Sequence, residues 1–232
     1  MAVTLVLLAV SVFVGAIFGK LFSSKGNLLK YLLAFSGAFV FSISILHLFP
    51  LVFSEGKNIG VFVLAGFFIQ LTLEFFSKGL EHGHLHGNED RSKPMSMILA
   101  LWLHAFLEGM PVGAHHHQHE HGILDPFILG LLLHKLPIGM IFYLLLEQLG
   151  FKKIKLLSFL LIFALAAPLG SYLANALPFF MQYSHELMAL VLGILLHIST
   201  TILFESSSSH SFNKIKLFIV VSAAILAYLS NI

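Results

Sequence analysis

Residues 95–114 read MSMILALWLHAFLEGMPVGA, an apolar run that contains one histidine and one glutamate. A run of about 20 predominantly apolar residues is long enough to cross a bilayer as an α-helix. His104 and Glu108 are four residues apart, so on a helix their side chains share one face at a separation of about 5–6 Å. Because an ionisable side chain inside a membrane is costly, this pair is a candidate functional site.

The rest of the chain repeats this apolar pattern. Its 232 residues are 58% hydrophobic and only 10% charged, whereas soluble domains carry about 25% charged residues. Long continuous apolar runs favour helices over the alternating strands of a membrane β-barrel. The sequence therefore predicts an all-α membrane protein with a single transmembrane domain over residues 1–232. The eight predicted spans cover residues 2–22, 30–53, 58–80, 95–114, 123–148, 155–177, 184–205 and 213–231.

The basic residues predict how these spans are oriented. Eleven of the thirteen lysines and arginines lie in or beside the 1–2, 3–4, 5–6 and 7–8 connections, while Lys57 lies on the opposite side and Lys135 lies within a span. Short connections rich in lysine and arginine stay in the cytoplasm, so both termini are predicted to lie outside. The net charge of +2 is too small to indicate a nucleic-acid partner.

Two of the connections are rich in histidine. The predicted cytoplasmic loop covers residues 81–94, and the predicted outer loop covers residues 115–122. Each is interpreted either as a segment that captures a metal ion or as a solvated linker. The histidines concerned are His82, His84 and His86 in the cytoplasmic loop, and His115, His116, His117, His119 and His121 in the outer loop.

The chain has no cysteine, so a metal site must use histidine and carboxylate ligands. His134 lies near the middle of the fifth span, as His104 does in the fourth. Because a short connection predicts that these spans are antiparallel neighbours, His104, Glu108 and His134 are expected to converge on one divalent cation. Zinc is the first candidate, followed by Fe²⁺, Mn²⁺ and Cd²⁺. The alternative is a hydrogen-bonded His–Glu pair that only stabilises the bundle.

These motifs resemble those of the ZIP family of divalent-metal transporters. The chain has HAFLEG from residue 104, HKLPIG from residue 134 and PLG from residue 168. The family has H-N-x-x-[DE]-G, H-[DE]-x-P-[EH]-x and P-L-G in the same order, in kinked fourth to sixth spans. The stretches ILHLFP, which contains His47, and GFFIQLTLE, which ends at Glu74, are similar to family segments in the second and third spans. The resemblance places His47 and Glu74 on the metal pathway.

The family builds two adjoining metal sites, and this chain departs from the second. Carried over position by position, the transport site retains the three ligands named above and has Ile138 in place of a fourth. In the companion site, Ala105, Lys135 and Ala167 replace an asparagine and two acidic residues. The resemblance therefore predicts a mononuclear site in which Lys135 is the counter-ion of Glu108. A neutral Lys135 beside the metal is the alternative.

The resulting expectation is a transporter in the cell membrane, not an enzyme, that moves a divalent metal into the cytoplasm by alternating access. In the family, spans 1, 4, 5 and 6 carry the metal past the other four spans. Two alternatives remain open. One is an intramembrane zinc metalloenzyme that uses the same three ligands, and the other is a family member that binds metal without transporting it. A homodimer is a further expected assembly.

Overall fold

The computed structural model describes residues 2–22, 26–54, 58–82, 94–114, 125–205 and 214–230. Within these ranges the chain is almost entirely helical and contains no β-strand. Helices satisfy their own backbone hydrogen bonds, which is what an apolar chain in lipid requires. The α-helices are α1 (Ala2–Phe22), α2 (Gly26–Ile43), α3 (Phe49–Phe53), α4 (Ile59–Ser77), α5 (Pro94–Ala114), α6 (Pro126–Gln148), α7 (Lys153–Ala164), α8 (Ala166–Ala176), α9 (Pro178–Gln182), α10 (Ser184–Glu205) and α11 (Lys214–Ser230).

Among the described residues, seven helical segments are long and apolar enough to cross a membrane, as expected of a multi-pass membrane protein. The eighth predicted span, residues 213–231, contains α11, whose 17 residues are helical but are not among these seven. The eighth span and the position of both termini outside stay predictions. The seven segments are Ala2–Phe22, Leu28–Phe53, Ile59–Ser77, Pro94–Ala114, Pro126–Gln148, Lys153–Ala176 and Ser184–Phe204.

The sixth predicted span, residues 155–177, is divided into two helices. The break between α7 and α8 lies at Leu165, three residues before Pro168. A proline nitrogen carries no hydrogen, so it cannot donate to the carbonyl of Ala164 one turn earlier, and the regular helix is interrupted there. By contrast, α6 is continuous through Pro137, and the kinks that the family resemblance implies in the fourth and fifth spans stay predictions.

Glycines bring three pairs of helices into backbone contact. A Cβ atom on Gly109 of α5 would overlap the carbonyl oxygen of Ala167 on α8, and one on Gly139 of α6 would overlap that of Val12 on α1. Gly66 of α4 approaches the backbone of α10 in the same way. Small residues allow such close packing in membrane bundles. The structure therefore contains three tightly packed pairs: α5 with α8, α6 with α1, and α4 with α10.

The helices α5 and α6 lie at the centre of the bundle. About 72% of the most apolar stretch of each is buried, against 17% for α4. Both helices carry large apolar side chains with no exposed surface, including Leu101 on α5 and Ile141 on α6. Polar residues on the inward faces of these two helices are therefore withdrawn from lipid and enclosed by protein.

Candidate metal centre

Three residues that can bind a metal come together between α5 and α6. His104 and Glu108 lie one turn apart on α5, and His134 lies on α6. One potential ligand atom from each residue lies within 4.8 Å of the others, and each residue is 1% exposed. Within the part of the chain that the structure describes, no other group of three or more histidine or acidic side chains is arranged in this way.

The carboxylate of Glu108 faces both histidines with one oxygen. Its Oε1 atom lies 3.1 Å from Nε2 of His104 and 3.8 Å from Nε2 of His134. Two ligands bound tetrahedrally to one zinc ion at about 2.0–2.1 Å would be roughly 3.4 Å apart, between these two distances. Although they are close, Oε1 and the Nε2 atom of His104 have no hydrogen-bond partner among the described residues. These three side chains could hold a metal ion in the space between them.

The second oxygen of Glu108 is bound to a lysine. Nζ of Lys135 lies 3.1 Å from Oε2 and donates a hydrogen bond to it. Both side chains are buried, so this is an ion pair inside the bundle. Lys135 follows His134 directly on α6, and the two residues therefore approach Glu108 from the same helix. Oε2 of Glu108 therefore accepts a hydrogen bond from Lys135, while Oε1 faces the two imidazole rings.

One residue at the centre was not among the candidates from the sequence. Gln70 on α4 is fully buried, and its Oε1 atom lies 3.1 Å from Nδ1 of His104. It belongs to the apolar stretch GFFIQLTLE, four residues before Glu74. The signal that could have indicated it is an amide side chain in the middle of a membrane span, one turn from an acidic residue.

The two predicted pathway residues lie outside the three-residue group. Glu74 on α4 pairs with His197 on α10, with 3.4 Å between Oε2 and Nε2. His47 is half-buried in a π-helical turn, Ser44–Leu48, which precedes Pro50. Such turns are often found at functional sites.

Of the predicted loop ligands, only His82 lies within the described residues. His82 lies at the end of a short 3₁₀ helix, Leu80–His82. The other loop histidines lie outside the described residues: His84, His86, His115, His116, His117, His119 and His121.

The positions that depart from the family pattern offer no further ligand. Ala105, Ile138 and Ala167 are each 2% exposed. They place only methyl groups or hydrocarbon in the region where the resemblance would require an amide or a carboxylate. The candidate centre therefore consists of the two histidines, Glu108 and the ammonium group of Lys135.

Comparison of the sequence with protein-family models and with curated proteins finds no match. The similarity to the ZIP family therefore depends on the motifs in spans 2 to 6 and on the predicted topology.

Proposed function

We propose that this protein transports a divalent metal ion, zinc first, across the cell membrane into the cytoplasm, and that His104, Glu108 and His134 bind the ion. The observation that carries this proposal is the burial of three converging ligands halfway along membrane helices. His104 is the eleventh of the 21 residues of α5. A metal bound there would be near the middle of the bilayer, where transporters bind their substrates.

The ligand set suits reversible binding of a divalent metal. Imidazole and carboxylate bind zinc, and the same ligands accept Fe²⁺, Mn²⁺ and Cd²⁺. The site has no thiolate, so the ion can be released more easily than from a structural cysteine site. Protons compete with the metal for histidine and glutamate. Uptake is therefore expected to decrease as the pH falls.

The ion pair supports a site for one metal. Lys135 places its ammonium group 3.1 Å from Oε2 of Glu108, on the carboxylate oxygen that faces away from the two histidines. A second dication bound to Oε2 would have to displace this ammonium or lie against it, and like charges repel strongly at such distances. In this proposal Lys135 takes the place of the second ion.

The helix packing supports alternating access. In the ZIP family, spans 1, 4, 5 and 6 move together, and these correspond here to α1, α5, α6 and α7–α8. The glycine contacts of α5 with α8 and of α6 with α1 lie inside this group, and the contact of α4 with α10 lies inside the other. The two groups could slide past each other without separating those close backbone contacts. Glu74 and His47 belong to the second group and would line the pathway on either side of the centre.

A second candidate function is a family member that binds metal without transporting it, or that has lost metal binding. The observation in its favour is the Glu108–Lys135 pair, because a buried carboxylate paired with an ammonium group needs no metal to balance its charge.

The experiment that separates these functions is zinc uptake into proteoliposomes. We expect saturable uptake by the wild-type protein and loss of that uptake in His104→Ala and His134→Ala. His185→Ala is the matched control, since His185 also lies on a membrane helix but outside the group. Binding without uptake would favour the non-transporting candidate. Absence of both would contradict the proposal.

The same preparation tests the number of metal ions. Histidines in the two loops would add weak sites, so the measurement uses a loop variant in which His82, His84, His86, His115, His116, His117, His119 and His121 are replaced by asparagine. Equilibrium dialysis should then find about one zinc per chain, because Lys135 occupies the second position. Two ions of similar affinity would contradict the mononuclear centre.

A further inference from the structure

Gln70 contacts the candidate centre from a helix that carries none of the three ligands. Its amide oxygen lies 3.1 Å from Nδ1 of His104, across the interface between α4 and α5. We propose that Gln70 is a positioning residue that holds His104 in the tautomer required for metal binding. This inference rests on the proposed metal-binding function, and it concerns a residue to which the family resemblance assigned no role.

The position of the ring proton decides which nitrogen of a neutral imidazole can bind a metal. Such a ring carries one N–H and one nitrogen with a lone pair, and only the latter can bind a metal. When Gln70 accepts a hydrogen bond from Nδ1–H of His104, the lone pair must be on Nε2. That is the nitrogen that faces Oε1 of Glu108 at 3.1 Å. The amide thus directs the metal-binding nitrogen of His104 towards the other ligands.

The same hydrogen bond prevents a competing arrangement. If Nε2 of His104 carried the proton, a small rotation of either side chain would let it donate to Glu108, and the pair would be a satisfied structural contact that needs no metal. With the proton on Nδ1, a lone pair on Nε2 and a carboxylate oxygen face each other at a short distance. This arrangement is repulsive until a cation lies between them. Gln70 therefore favours the tautomer in which the lone pair on Nε2 of His104 is available to a metal ion.

The burial of Gln70 also indicates a role other than stability. The residue has no exposed surface, and its Nε2 atom has no hydrogen-bond partner among the described residues. A buried amide with an unsatisfied N–H group lowers stability, and an apolar side chain of similar volume would avoid that cost. Residues retained at a cost to stability are typical of functional sites. Partners that orient a metal-binding histidine are a common example.

The direct test is the tautomer of His104 in the metal-free protein. Nitrogen chemical shifts of ¹⁵N-labelled histidine distinguish protonated Nδ1 from protonated Nε2. The measurement uses the loop variant, in which eight of the 14 histidines are absent, and His104→Gln identifies the signal. We expect protonated Nδ1 with Gln70 present, protonated Nε2 in Gln70→Leu, and protonated Nδ1 again in Gln70→Glu, since a carboxylate is also an acceptor.

Metal affinity is the second readout. Loss of a residue that orients a ligand typically weakens metal binding by about 10- to 100-fold, which is the decrease we expect for Gln70→Leu. Gln70→Glu should bind zinc more tightly than Gln70→Leu and should restore most of the wild-type affinity. Thr72→Val is the control for a change of polarity on the same helix, because Thr72 is exposed and donates a hydrogen bond to the carbonyl of Phe68 on its own helix.

The outcomes separate the two proposals. Protonated Nε2 of His104 in the wild-type protein, or an unchanged tautomer in Gln70→Leu, would overturn the positioning role even if zinc binds. If the wild-type protein binds no zinc, the proposed function fails, while the tautomer measurement still decides the role of Gln70. If Gln70→Leu does not fold, the role of Gln70 is tested by two other measurements: the tautomer of His104 in the wild-type protein and in Gln70→Glu. Protonated Nδ1 in both would support the positioning role, and protonated Nε2 in either would contradict it. A tautomer that changes without any loss of zinc affinity would also contradict the inference.

Discussion

In the part of the bundle that the structure describes, two places where a histidine meets a carboxylate differ in what surrounds them. Between α5 and α6, Glu108 is 1% exposed and faces two histidines and a lysine. Between α4 and α10, Glu74 pairs with His197, and the side chain of Glu74 is 20% exposed. The first place has three potential metal ligands and a lysine, and the second has two ionisable side chains, of which Glu74 is partly exposed.

The difference shows why spacing and burial must be considered together. A partly exposed carboxylate near a helix end can be stabilised by solvent and one imidazole, so the Glu74 pair needs no metal. Glu108 is enclosed, and a buried carboxylate remains charged only if other groups compensate it. Lys135 provides that compensation through one oxygen, which leaves the other oxygen directed at the two histidines. A third ligand is what distinguishes the candidate centre from an ordinary pair.

The largest expected effect is on zinc affinity in Glu108→Gln. The amide preserves the shape of the side chain but removes the anionic ligand, and the ammonium of Lys135 then faces the metal without compensation. Loss of a residue that only supports a ligand weakens metal binding by about 10- to 100-fold. Replacement of the ligand itself should therefore weaken zinc binding by more than about 100-fold. Isothermal titration of the loop variant measures it. Glu74→Gln is the matched control, and an equal decrease in that variant would remove the distinction between the two places.

A smaller effect is expected on the stability of Lys135→Met without metal. Removal of the ammonium leaves Glu108 buried without this partner, which should lower the free energy of unfolding by about 3 kcal/mol. Zinc at 100 times its dissociation constant should restore about 2.7 kcal/mol, because it binds the folded state alone. Unfolding in mixed detergent micelles, with and without zinc, measures both values.

The control for this variant is a lysine outside the centre. Lys155 is exposed and lies over the ring of Phe151 at 4.6 Å from its centroid, so Lys155→Met should change stability by less than about 1 kcal/mol. Its stability should not depend on zinc. An equal loss of stability in both variants would mean that Glu108 does not require Lys135. A loss in Lys135→Met that zinc does not restore would mean that zinc does not bind beside Glu108.

The sequence predicts most of the helices and the shared face of His104 and Glu108 because both depend on local spacing. Apolar runs of membrane length fold as helices wherever they lie in the chain, and seven of the eight predicted spans correspond to suitable helices. His104 and Glu108 share a face because a helix has 3.6 residues per turn. His134 is added to them because it lies at a similar depth in the next span.

Contacts between distant helices could not be predicted in this way. The hydrogen bond between Nδ1 of His104 and Oε1 of Gln70 joins residues 34 positions apart and depends on how α4 packs against α5. The pairing of Glu74 with His197 depends likewise on the close approach of α4 and α10. Lys135 was predicted as the counter-ion of Glu108 through the family resemblance, and the structure places the two groups in contact.

The smallest expected effect concerns the second His–carboxylate place. His197 contacts the ring of Phe67 edge-on, with 4.7 Å between centroids. His197→Phe should therefore retain the aromatic contact while removing the ion pair, and we expect a change in stability of less than about 1 kcal/mol. Zinc affinity should stay within about twofold of the wild type, since supporting residues of the centre would change it by at least about tenfold.

The rate of zinc uptake by His197→Phe tests whether Glu74 lies on the metal pathway. If Glu74 lies on the metal pathway, its release from His197 should alter the rate of zinc uptake in proteoliposomes while the affinity of the centre stays constant. An unchanged rate and affinity would make the pair a structural contact between α4 and α10. A tenfold loss of affinity would instead show that the two places act as one site, because neither residue is in the three-ligand group and a local change at His197 could reach zinc only through coupling between them.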